Sequence, residues 1–156
     1  MKRIYTFGHE QVDRNITVGD MLDNKKNDIK MTQVTAGNQE EAEIVAGQNI
    51  DMIITGSDWY QDVRKGAPNT FITAALFAGR FVTNEEILRG AFDVMMNGAD
   101  SVLTPRSMDV VEMLAKEGMQ VQGHVGMVPS MATKSVSYTH LRAHETLMNL
   151  VCRLLL

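Results

Sequence analysis

VRKGAPNTFITAALFAG, from Val63 to Gly79, couples a basic turn to a short apolar strand and then to a loop. Gly66, Pro68 and Asn69 supply the turn residues, and NTFITAAL runs on without a charge until FAGRFV returns the chain to solvent. The same unit recurs on either side. KMTQVTAG and DMIITG precede it as strands, DSVLT and MQVQG follow it, and helical patterns separate them. Strict alternation of strand and helix favours a parallel sheet with helices packed outside it.

The helices announce themselves by their caps. Asn38 with Glu41, and Thr83 with Glu86, have capping-box spacing. The first opens QEEAEIVAGQ, with Ala42, Ile44, Val45 and Ala46 expected to face the sheet and Gly47 weakening the end. The second opens EEILRGAFDVMMNGA, with Ile87, Leu88, Ala91 and Met95 as its apolar stripe. Ser107 is placed to cap MDVVEMLAKE, whose Val110, Val111 and Leu114 would turn inward, with Gly118 as its stop. SDWYQDVRKG reads as a brief helix or a loop, and Arg64 and Lys65 within it as a solvated turn.

Ahead of this series, RIYTFG is a short strand, and a polar loop follows through Asn15. Thr17 then caps VGDMLDNKK, with Met21 and Leu22 facing inward, a helix suited to closing one end of the domain. The expected organisation is an N-terminal extension with this helix at 1–28, a partial (β/α) barrel at 29–134, and a separate tail at 135–156.

The fold class is α/β, an incomplete (β/α)8 TIM barrel with about five β units, since the full form needs about 250 residues. An open doubly wound sheet fits the same alternation. No GxGxxG follows the first strand and no GxxxxGK[ST] is present, so nucleotide-binding readings lose their usual support.

A formal charge of -4 with scattered Lys and Arg offers no basic field for nucleic acid. MKRIYTFGHEQV has no long apolar run, so neither signal peptide nor membrane anchor is expected, and the cytoplasm is the default location. The single cysteine, Cys152, excludes an internal disulfide framework. The 12 methionines fall mostly at core spacing in helices, which reads as packing.

The tail needs its own reading. VSYTHLRAHET, at 136–146, is the literal translation of a transposase-type sequencing adapter, and LVCRLLL from Leu150 continues the match after an index-like gap. Leu147, Leu150, Val151, Leu154 and Leu155 also fit an amphipathic helix, but the adapter match is far more specific, so the segment is set aside from fold reasoning as a fusion scar would be. The expectation is a reading frame cut near Lys134, with His140, His144 and Cys152 removed from the list of metal ligands. An open five-stranded piece should self-associate through its sheet edge and be inactive by itself.

In parallel α/β folds, reactive groups collect where strands end and loops converge. Ser57 and Asp58 follow such a strand, placed either to meet a ligand or cation or to cap the next helix. His124 follows the fifth strand, between Gly123 and Gly126, where its imidazole can donate to a carboxylate or carbonyl. Arg106 either grips an anion or is merely exposed, and His9 reads as a solvated histidine. No CxxC, HExxH or Ser-His-Asp order occurs before the tail.

At these residues the chain resembles the ketopantoate hydroxymethyltransferase (3-methyl-2-oxobutanoate hydroxymethyltransferase) family of the phosphoenolpyruvate/pyruvate barrel superfamily. VRKGAPN is similar to the family's VRRGAPN, TNEEILRGAFDVMMNGAD to its following helix and turn, and VQGHVGMVPS to its GHLGLTPQ segment. DMIITGSD matches its VGDS strand end, and the likeness covers roughly residues 16 to 134.

The resemblance implies magnesium-dependent transfer of a one-carbon unit from methylenetetrahydrofolate to a small α-keto acid, on the route to pantothenate, by a homo-oligomer. It also implies which residues act. The substrate-side histidine falls on His124; the Asp of VGDS falls on Ser57, leaving Asp58 beside it as the metal ligand. The Asp of ADLPF falls on Ala75, and the Lys and Glu of KIEGG on Leu103 and Pro105. A segment of a dozen or so residues after Asp58 is missing, and the family's general base would lie beyond Lys134. Ser57 and His124 are therefore the expected substrate contacts and Asp58 the expected metal ligand, with no catalytic base assigned. Two other functions fit this pattern: another C–C lyase or mutase of the superfamily, and a noncatalytic barrel that binds a small carboxylate or a partner.

Overall fold

The computed structural model describes residues 1–125 together with the backbone of Arg153–Leu155. Strands β1 (Lys2–Tyr5) and β2 (Gln11–Arg14) pair antiparallel as a hairpin. The stretch expected as a polar loop thus holds a second strand, too short and polar to show a period of two. His9, exposed as expected, turns the chain between them at φ 64. Helix α1 (Val18–Lys26) follows with Thr17 as its predicted cap, and the structure adds a capping box: Thr17 accepts from the Asp20 amide and Asp20 accepts from that of Thr17.

The main sheet then alternates without exception: β3 (Gln33–Thr35), α2 (Gln39–Ala46), β4 (Met52–Gly56), α3 (Tyr60–Gly66), β5 (Phe71–Ala75), α4 (Asn84–Met96), β6 (Ser101–Thr104), α5 (Met108–Lys116) and β7 (Val121–Gly123). All five strands are parallel, in the order β3-β4-β5-β6-β7. That order separates the two fold readings. A doubly wound sheet reverses direction at a switch point, whereas here each strand is laid beside its predecessor, as in a (β/α) barrel. The barrel is not closed among the described residues. Arg153–Leu155, a strand β8 within the tail set aside above, lies antiparallel on β7. An open edge offers unpaired amides and carbonyls to any backbone, so such pairing needs no matching side chains. His140, His144 and Cys152, and the rest of the tail, lie outside the described residues.

Strand parity sorts the core into two sides. Ile53 and Ile72 pack with Ala42 and Val63 beneath α2 and α3, and Ala74, Val102 and Val121 pack with Ile87, Ala91, Val111 and Leu114 beneath α4 and α5. On the opposite, barrel-side face, Met52 and Phe71 meet Ile16 and Met21, so α1 covers the N-terminal end of the strands. Two helix faces differ from expectation. Leu22 is 37% exposed and Ile44 67% exposed. Each helix touches the core through a narrow stripe. Ile44 sits about 200° around from buried Ala42 and points to water.

The basic turn is corrected more substantially. Lys65 is solvated and paired to Asp62, but the Arg64 side chain is only 17% exposed. Its guanidinium donates to the carbonyls of Thr70 (2.7 Å) and Gly98 (2.9 Å) and to Asp100 (2.5 Å). Burial lowers its pKa, and the Asp100 carboxylate works against that. Asp100, itself buried, also accepts from Arg14 Nε at 2.7 Å and from the Ile72 amide at 2.9 Å. This cluster ties the hairpin, the GAPN turn and the start of β6 together at the N-terminal ends of the strands. No apolar periodicity signals it, because Arg64 bonds mainly to main-chain carbonyls.

Candidate functional site

The opposite end of the sheet carries the residues singled out from sequence. The register places Gly56, Ala75, Leu103 and Gln122 in one row across β4 to β7, at the C-terminal end of the strands. Their parity sets them against the helix-packed residues, so the row lies on the barrel-side face. Behind it lies a row of Thr35, Ile54, Thr73 and Ser101, where the Thr73 and Ser101 hydroxyls bond to each other at 2.7 Å and Gln33 Nε2 reaches Thr73 at 3.4 Å.

Ser57 and His124 leave the sheet just beyond the first of these rows. The Ser57 amide donates to the Ala75 carbonyl at 3.1 Å, and the His124 amide to the Thr104 carbonyl at 3.1 Å. The strand ladder is thus prolonged past β4 and β7, which fixes both backbones while leaving the side chains half-buried. Neither Ser57 nor Asp58 caps a helix, because α3 begins after Trp59 with no side-chain cap. Asp58 is instead exposed and ion-paired with Arg80 from the loop after β5. Arg106 is also engaged, donating to the carbonyls of Phe81 and Val82 at 2.7 Å each, so it holds the loop between β5 and α4.

Trp59 and Phe77, each more than half exposed, converge over Gly56. A Cβ built at Gly56 would lie 3.1 Å from the indole and 3.4 Å from the phenyl ring. Any side chain there would push the rings apart, so the glycine sets how closely they cover this end of the row.

Magnesium requires near-octahedral oxygen ligation, usually with one or two carboxylates. Among the described residues no group of three or more His, Cys, Asp or Glu could hold a metal. Asp58 is the one carboxylate among the first three residues after each of the five strands, and it is ion-paired with Arg80. Ala75, Leu103 and Pro105 bring no ligating side chain. The described residues do not fit a magnesium ion.

Gln122 was not singled out by sequence reasoning. It is 6% exposed, and its Oε1 is buried with no hydrogen-bond partner among the described residues. Only the register reveals that it shares a row with Ala75 and Leu103; the residue itself lies in a short strand with no motif of its own.

Comparisons with known proteins fall on one activity. A 3-methyl-2-oxobutanoate hydroxymethyltransferase of Geobacillus thermodenitrificans is 30% identical over 139 residues, covering 72% of this chain and half of that protein. The protein of the same name from Deinococcus radiodurans is 41% identical over 76 residues, covering 45% of this chain and 27% of its own length. That from Ignicoccus hospitalis is 26% identical over 141 residues, covering 74% and 54%. The chain is a divergent homologue of the 3-methyl-2-oxobutanoate hydroxymethyltransferases. No family model matches it. This hydroxymethyltransferase homologue spans about half the length, or less, of the curated relatives it matches. Among its described residues no helix is long and apolar enough to cross a membrane.

Proposed function

We propose that the C-terminal end of this hydroxymethyltransferase-like sheet binds a small branched α-keto acid of the 3-methyl-2-oxobutanoate type and does not carry out magnesium-dependent one-carbon transfer on it. One observation supports both halves of this reading. Ser57 and His124, the expected substrate-side positions, leave strands at the same C-terminal end of the sheet, while the family's carboxylate positions fall on Ala75 and Pro105 and its lysine position on Leu103, in or next to the same row. The His124 imidazole and Ser57 hydroxyl donate to carboxylate and carbonyl oxygens. Ala75 and Leu103 give the alkyl group an apolar wall. Abstracting the proton beside the carbonyl needs a base and a cation to stabilise the enolate, and this row supplies neither.

A second reading, one-carbon transfer from methylenetetrahydrofolate by the whole protein, draws on the names of the homologues. It requires carboxylate ligands beyond the described residues.

The test is titration of the full chain with 3-methyl-2-oxobutanoate, with and without magnesium, alongside deuterium exchange of the ligand's C3 proton. Binding should be independent of magnesium and weakened about tenfold or more by His124→Ala, the loss expected for a hydrogen bond to a charged group. Exchange should stay at the solvent rate. Magnesium-stimulated exchange would establish the second reading and overturn the first.

A further inference from the structure

We propose that Gln122 is a specificity-determining residue of this site, favouring a small hydroxy acid over the corresponding keto acid. The inference rests on the reading of this strand end as a carboxylate-binding site and sharpens which carboxylate it takes.

Parity in β7 comes first. Val121 belongs to the core beneath α4 and α5, and a Cβ at Gly123 would meet Met108 and Val111 of α5. Both residues face the helices, so the side chain between them faces the barrel side. It lies in the row with Leu103, Ala75 and Gly56, two residues before His124.

The chemistry of that row comes next. At Ala75 and Leu103, where the resemblance leads one to expect charged groups, the row presents a methyl and an isobutyl, and Gly56 adds no side chain, leaving Gln122 as its one polar member. A neutral amide among apolar groups is retained at a cost unless it is bonded, because a buried acceptor without a donor forfeits its hydration. Among the described residues its Oε1 has no donor.

The other orphaned oxygen makes a useful contrast. Thr55 Oγ1 is likewise unpartnered, but Thr55 shares the parity of Ile53 and lies between sheet and helices, where no ligand enters. Gln122 lies on the other, barrel-side face.

An acceptor selects for a donor on the ligand. An ionised α-keto acid carries only acceptors, whereas the 2-hydroxy acid of the same skeleton carries one O–H at the carbon beside the carboxylate. With His124 donating to the carboxylate, Gln122 Oε1 accepts from that hydroxyl, and the alkyl group rests on Ala75 and Leu103. Sites that hydrogen-bond a ligand hydroxyl discriminate strongly against analogues lacking it, because their own polar atom is then left unpaired.

The experiment compares the affinity of the full chain for 2-hydroxy-3-methylbutanoate and 3-methyl-2-oxobutanoate, in wild type, Gln122→Leu and Gln122→Met. Wild type should bind the hydroxy acid about tenfold more tightly, the factor expected for one hydrogen bond to a buried acceptor. Either variant should bring the two ligands within about twofold of each other. The wild-type preference is readable even if one variant fails to fold. Keto-acid binding without preference, a preference for the keto acid because the amide presents its NH2, or a preference that survives in a folded variant would each overturn the role of Gln122 alone. Failure to bind either ligand would overturn both this role and the carboxylate-binding reading.

Discussion

Replacing Asp100 with Asn tests the structural account of the basic turn most directly. Asp100 is the shared acceptor for two buried guanidiniums, with its side chain 4% exposed and the Arg14 side chain 3% exposed. The substitution preserves shape and removes one charge. Asn offers a single oxygen where Asp offers two, so it cannot serve Arg14 Nε, Arg64 Nη2 and the Ile72 amide together. It also leaves two buried positive charges facing each other. Removing one partner of a buried ion pair typically costs about 3–5 kcal/mol, mostly from the uncompensated charge that remains. Arg14→Met should cost less, because Asp100 keeps Arg64 and the Ile72 amide, and the removed group is itself a charge. At a urea dependence of about 2 kcal/mol per molar, the Asp100→Asn midpoint should fall by about 2 M. Urea unfolding followed by circular dichroism reads both variants. A loss below about 1 kcal/mol for Asp100→Asn, or an equal loss for Arg14→Met, would refute the view that the carboxylate organises this end of the sheet.

Two further outcomes follow from single contacts. Gly66→Ala places a Cβ 2.2 Å from the Gln39 carbonyl oxygen and 2.9 Å from Ala42 Cβ, where α3 crosses α2, so thermal unfolding should show a loss of about 1–3 kcal/mol; an unchanged melting temperature would mean the helices part freely. Asp20 is held at a pKa of about 2, below its ordinary 3.8, chiefly by its hydrogen bond from Lys2 and next by Thr17. Its folded pKa is depressed, so its contribution is present above about pH 4 and is lost as pH falls through about 2. The urea midpoint of wild type should therefore fall more steeply than that of Asp20→Asn over this window, and parallel slopes would remove Asp20 from the account.

Much of the scaffold was legible before any coordinates. Thr17 and Thr83 start helices through a local bond geometry that needs only a few neighbouring residues; Thr17 caps as expected, and the box read at Thr83 and Glu86 forms. Asn38 caps its helix, but the box read there does not close, because Glu41 accepts from the Gly37 amide and not from that of Asn38. The stripe of α4 was legible because its period is set by the helix. Arg64 was misread because most of its acceptors are carbonyls, among them ones 3, 6 and 34 residues away, which have no signature in sequence, and its one carboxylate partner, Asp100, is 36 residues away. Leu22 and Ile44 were placed inward because periodicity tells which residues share a face, but how wide a face is buried depends on the neighbour.

The sequence by itself determined the alternation of strand and helix, the helix starts and the kinship with hydroxymethyltransferases, because each is written in residues close along the chain. Tertiary structure alone decided the barrel-like strand order, the buried Arg14–Asp100–Arg64 cluster and the row that joins Ala75, Leu103 and Gln122. These depend on which strands lie side by side and in what register, and register is a relation between segments some 20 to 30 residues apart that no single segment encodes.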